Sequence, residues 1–114
     1  MTKEFPRRGE IWMVNFNPGW GSEQMGIRPA LIIQNDTGNQ YAATTIVAAI
    51  TSAIKIYPVT VYLPVKSVGL SKDSMVNFAQ LLTIDKSRLM KRIGVLPAEL
   101  ISRVDGAIRV SLEV

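Results

Sequence analysis

The apolar stretches of this chain are short and rich in β-branched residues, and turn chemistry closes most of them. Gly9 to Asn15 is made of strand formers and gives way to Asn17-Pro18-Gly19. Ala30-Leu31-Ile32-Ile33 follows Arg28-Pro29 and runs into Asn35-Asp36-Thr37-Gly38-Asn39, a second turn or short helical cap. Thr44 to Ile50 stops at Thr51-Ser52. Val59 to Val65, whose Pro64 suits a sheet edge or strand end, and Met75 to Leu82 complete the series. Apolar runs of this length between Gly, Pro, Asn and Ser signals read as buried strands.

The period changes near the C-terminus. Leu100, Val104, Ala107, Ile108 and Ser111 recur at helical spacing, with Ile101 and Leu112 at the margins and Ser102, Asp105, Arg109 and Glu113 opposite. Pro97 fits the first helical turn without a good N-cap before it, and Gly106 costs the helix about 1 kcal/mol relative to Ala. Many short strands and one closing helix make the chain mainly β (α+β), with a small, strongly bent sheet or barrel as the economical solution. The 114 residues show no repeat and no Gly/Ser linker, so we expect a single domain over 1–114.

The chain has no Cys and no His. Disulfides, cysteine nucleophiles, histidine acid–base schemes and zinc sites built on these residues are excluded. The nine acids are never closer than six residues apart, so no local carboxylate pair marks a metal site. Neither phosphate-loop glycine pattern occurs, so we expect no cofactor and no metal. Residues 1–8 carry charges but no apolar h-region, which argues against a signal peptide, and no run is long enough to span a membrane. The absence of Cys is compatible with the cytoplasm, the compartment we expect. Thirteen Lys and Arg against nine Asp and Glu give +4, a bias towards polyanions such as RNA, DNA or acidic peptides.

One pairing of segments stands out. Glu23 and Arg28 flank a glycine-rich loop and its entry into a buried strand, and Thr51-Ser52 end another. If those strands are neighbours, a guanidinium, a carboxylate and two hydroxyls share the mouth of a groove. Such a set suits a phosphodiester, because a guanidinium forks onto phosphate oxygens and stabilises developing charge. The plainer reading is a surface ion pair and a β-forming Thr. Trp20 in the loop offers an indole that either stacks on a base or packs as a lid, whereas Trp12 within a strand reads as core. Lys55 and Tyr57 lie in the segment after Thr51. Lys86, Arg88, Lys91 and Arg92 form a basic run of the kind that is usually a solvated face.

With these residues laid out, the chain resembles the MazF/PemK family of toxin endoribonucleases. The matching text includes Arg8-Gly9-Glu10-Ile11-Trp12, Gly21-Ser22-Glu23-Gln24, Gly26 to Asp36 with its Arg28-Pro29, Thr44 to Ser52, and Thr83-Ile84-Asp85-Lys86-Ser87-Arg88-Leu89. It covers about 8–112. The resemblance implies an SH3-like barrel with a C-terminal helix, a homodimer, and metal-independent cleavage of single-stranded RNA at short recognition sequences. Cleavage would leave a 2′,3′-cyclic phosphate and a 5′-hydroxyl. Arg28 and Thr51 match the family's catalytic arginine and threonine, and Glu23 its loop glutamate. Trp20, Ser22, Gln24, Ser52, Lys55, Tyr57 and Gln80 are the expected RNA-binding residues. The implied partner is a cognate antitoxin whose acidic C-terminal segment covers the RNA groove, with DNA reached only through that antitoxin. The chain departs from the family's Glu-Gln-(apolar)-Arg-Thr at Ala79 and Leu82. Two other readings stay open: a CcdB-like gyrase-poisoning toxin on the same barrel, or a non-catalytic module that binds RNA or antitoxin.

Overall fold

The computed structural model describes residues 5–17, 26–64 and 69–114. Within these, β1 (Glu10–Asn15), β2 (Ile27–Ile32), α1 (Asp36–Tyr41), β3 (Thr44–Thr51), β4 (Thr60–Leu63), β5 (Ser74–Asp85), a 3-10 turn (Lys86–Arg88), β6 (Leu89–Val95) and α2 (Ala98–Leu112) follow in chain order. The strands form one sheet in the order β4-β5-β3-β2-β1-β6, and every neighbouring pair is antiparallel. The expected mainly-β fold with a closing helix is the one observed.

Side chains alternate across the sheet and supply two apolar clusters. One unites Ile11, Leu31, Ala48, Ile50, Val61, Val76 and Phe78 with Leu100, Val104 and Ala107 of α2. On the other face Val14, Phe16, Ala30, Ile32, Val47 and Ile84 cluster, with Trp12, Leu82 and Leu89 packed against them. Leu82 therefore fills apolar space where a charge was expected from the family pattern. Ser111, on the inner stripe of α2, is satisfied by donating to the Phe78 carbonyl at 2.6 Å.

Register shifts interrupt the sheet once in β3–β5 and at two points of β1–β6. Along β3–β5 the pairs Ala48 with Leu81 and Ala49 with Asn77 leave Phe78, Ala79 and Gln80 without β3 partners, a bulge that kinks β5. After β4, Gly69 (φ +74°) lies so close to the Ile93 carbonyl of β6 that a Cβ would sit 2.5 Å from it. The connection leaving one edge strand thus reaches the opposite edge, as the expected barrel requires.

Two readings need correction. β2 begins at Ile27 rather than after Pro29, because Arg28 and Pro29 pair with Val14 and Met13 of β1. Pro97 is the N-cap of α2 rather than part of its first turn, and makes no side-chain cap. The basic run, read as a solvated face, is exposed at Lys91 and Arg92, and these lie on β6, which among the described residues pairs with β1 alone and so can carry outward charges at a sheet edge. Two of its cations have structural partners: Arg88 donates to the Asn15 carbonyl at 3.1 Å, and Arg92 pairs with Glu10 at 2.9 Å.

Candidate active site

The β1–β2 connection leaves and returns through a tied neck. Phe16 N donates to the Gly26 carbonyl at 2.8 Å, and Gly26 N donates to Asn17 Oδ1 at 2.9 Å. Arg88 also donates to the Asn17 carbonyl at 2.5 Å. Gly26 holds φ +75°, a left-handed conformation that glycine adopts without a Cβ penalty. Trp20, Ser22, Glu23 and Gln24 lie outside the described residues. Arg28 stands two residues beyond the neck on β2, exposed.

β2 and β3 are neighbours, the condition on which the sequence-level grouping depended. Their ladder pairs Ile32 with Val47, Leu31 with Ala48 and Ala30 with Ala49. It stops just before Pro29, which has no N–H to give. Carrying the register two residues further sets Arg28 opposite Thr51, on the sheet face shared by Ala30 and Val47. Val14 flanks Arg28 from β1, and Met75 of β5 flanks Thr51 on the other side.

Thr51 Oγ accepts a hydrogen bond from Ala53 N at 3.1 Å. This fixes the hydroxyl oxygen and leaves its proton for a donor role. The segment from Ser52 to Val59 is pinned from beneath. Lys55 N donates to Met75 Sδ at 3.2 Å, and Tyr57 N donates to Thr60 Oγ at 3.0 Å. Thr60 Oγ in turn donates to the Tyr57 carbonyl at 2.9 Å. Ser52, Lys55 and Tyr57 are exposed beside Thr51 on this tied loop, and Gln80 is exposed on the β5 bulge. The sequence reading missed Met75, Thr60 and Tyr62. Their cross-strand positions depend on long-range register, which no local pattern carries.

Two carboxylates elsewhere in the fold show clear electrostatic effects. Glu10 is buried, which by itself raises its pKa, yet hydrogen bonds from Arg7 N, the Trp12 indole and Arg92 bring it below the usual carboxylate value. Asp73 accepts a hydrogen bond from the Tyr62 hydroxyl, which keeps that phenol protonated beyond its ordinary range. Among the described residues no three acidic side chains converge, and no helix is long and apolar enough to cross a membrane.

Comparison with known proteins places this geometry in a family. A model described as a PemK-like, MazF-like toxin of a type II toxin–antitoxin system matches residues 7–112. The chain is 43% identical over 108 residues to endoribonuclease EndoA of Bacillus subtilis (strain 168), spanning 93% of each protein. The crystal structure of MazF from Deinococcus radiodurans superposes with a TM-score of 0.80 at 29% identity, over 98% of this chain and 100% of that one. A MazE–MazF crystal structure from the same organism gives 0.76 at 28% identity, over 95% and 96%. The sheet, the helix and the matched sequence together show that this chain belongs to the PemK-like, MazF-like toxin family of type II toxin–antitoxin systems.

Proposed function

We propose that this toxin is a metal-independent endoribonuclease that cuts single-stranded RNA with Arg28 and Thr51. The β2–β3 register supports the reading: carried two residues past its last pair, it brings Arg28 opposite Thr51. The ribose 2′-oxygen attacks the adjacent phosphorus in line. The O2′–P bond forms as the P–O5′ bond breaks, leaving a 2′,3′-cyclic phosphate and a 5′-hydroxyl. The 2′ proton is lost to the site, and the departing 5′-oxygen gains one. Arg28 forks onto the non-bridging oxygens and stabilises the pentacoordinate oxyanion, a role that a guanidinium, with five donors and no acceptor, suits better than that of a base. Thr51, its oxygen held by Ala53 N, donates its proton to a phosphate oxygen, and Ser52 supports it. Glu23 either takes the 2′ proton or positions Arg28.

Trp20, Ser22, Gln24, Lys55, Tyr57 and Gln80 line the path of the RNA in this reading. The +4 charge suits both that polyanion and the acidic C-terminal segment of an antitoxin. The partner assignment follows the MazE–MazF structure; a homodimer and a cytoplasmic setting complete the proposal. The test incubates purified protein with a long single-stranded RNA in EDTA and maps the ends. Discrete cuts with cyclic-phosphate and 5′-hydroxyl ends support the enzyme. Binding without cutting favours a non-catalytic module, and gyrase inhibition without cutting favours the gyrase-directed toxin.

A further inference from the structure

The cross-strand row that holds Arg28 and Thr51 does not end at Thr51. Met75 lies opposite Thr51 on β5, and Tyr62 lies opposite Met75 on β4. Met75 is 4% exposed and its sulfur is engaged by Lys55 N, so it forms a fixed floor between the hydroxyl and the phenol. Tyr62 is 39% exposed on an edge strand whose flanking residues, Val61 and Leu63, point into the core. Asp73 engages its hydroxyl. Two strand spacings separate Tyr62 from Thr51, about 10 Å across the sheet, within reach of a base beside the cut.

We propose that Tyr62 is a stacking platform for a nucleobase flanking the scissile phosphate, a subsite on the same sheet row as Arg28 and Thr51. The inference rests on the endoribonuclease reading for the position of that phosphate. A ring lying against a rigid sheet loses little freedom when a base covers it, and every base presents a π-face. An aromatic ring at this point adds affinity with little demand on base identity, while hydrogen-bonding groups nearer the cut supply selection.

The test compares Tyr62→Leu, which keeps an apolar side chain, with Tyr62→Phe, which keeps the ring. Binding is read by anisotropy of a labelled, random-sequence 2′-O-methyl RNA, which lacks the attacking hydroxyl. Cleavage of ordinary RNA is read separately as kcat and KM. Tyr62→Leu is expected to weaken binding and raise KM roughly tenfold with kcat unchanged, and Tyr62→Phe to stay within about twofold of the parent. Parent-like binding by Tyr62→Leu, equal losses in both variants, or no RNA binding by the parent overturns the platform. If the parent binds but does not cut, and Tyr62→Leu still weakens binding, the platform stands and the endoribonuclease reading falls. Cutting by the parent with an unaltered Tyr62→Leu has the opposite meaning.

Discussion

Arg28 on β2 and Thr51 on β3 each lie two residues beyond Ala30 and Ala49, the last pair of the β2–β3 ladder. The β2–β3 ladder stops at Pro29, but each residue is still held on its other side, Arg28 by its pairing with Val14 of β1 and Thr51 by its pairing with Met75 of β5. One donor fork and one hydroxyl are thus held by separate strands without any contact between them being needed.

Arg28→Ala and Thr51→Ala should each lower kcat at least about 10²–10³-fold, the usual cost of removing one oxyanion donor. Arg28→Lys keeps the charge but loses the fork, so it should recover only part of the rate. Thr51→Ser keeps the hydroxyl and should retain most activity. Urea melts should show each variant folded. Cleavage at the parent rate by either alanine variant would contradict the assignment.

The lowered pKa of Glu10 has a definite consequence for stability. A carboxyl whose folded pKa lies below its unfolded value of about 4.5 stabilises the fold above that pH. That contribution should be lost as pH falls through the folded pKa. Glu10→Gln should therefore flatten the acid side of the stability curve and lower the plateau at neutral pH. With no histidine in the chain, stability should be nearly level from pH 6 to 8. Denaturant midpoints across pH 3 to 8 check both expectations, and a steep acid slope surviving in Glu10→Gln would exclude Glu10 as its source.

Two glycines should respond oppositely to alanine. Gly106 sits inside α2, where an added Cβ meets nothing within 4 Å, so Gly106→Ala should stabilise by about 1 kcal/mol. Gly69 combines φ +74° with the Ile93 carbonyl 2.5 Å from a Cβ, so Gly69→Ala should destabilise by about 2 kcal/mol or more. Urea midpoints moving the same way in both variants would refute this reading of the two sites.

Much of the architecture was legible in the chain itself. The strands around Ile32 and Val47, the end of β3 at Thr51 and the inner stripe of α2 follow from local apolar spacing. The β6 strand was hidden because Lys91 and Arg92 point outward from an edge, where only one neighbour constrains the pattern. The grouping of Arg28 with Thr51 was legible only as a condition, since neighbouring strands can be guessed locally but their register cannot. The placement of Met75 and Tyr62 in the same cross-strand row as Thr51 was invisible for the same reason, made worse by the β5 bulge, which shifts every pair from Asn77 to Met75 relative to the rest of β3–β5.

The central claim is that Arg28 and Thr51 stabilise an attack made by the RNA's own 2′-hydroxyl. The most direct measurement uses an RNA oligonucleotide spanning one mapped cut, with the single ribose on the 5′ side of that bond replaced by 2′-deoxyribose. In EDTA the substituted oligonucleotide should bind as the unsubstituted one does and remain whole at that bond. Continued cutting there, at a comparable rate, would contradict the account.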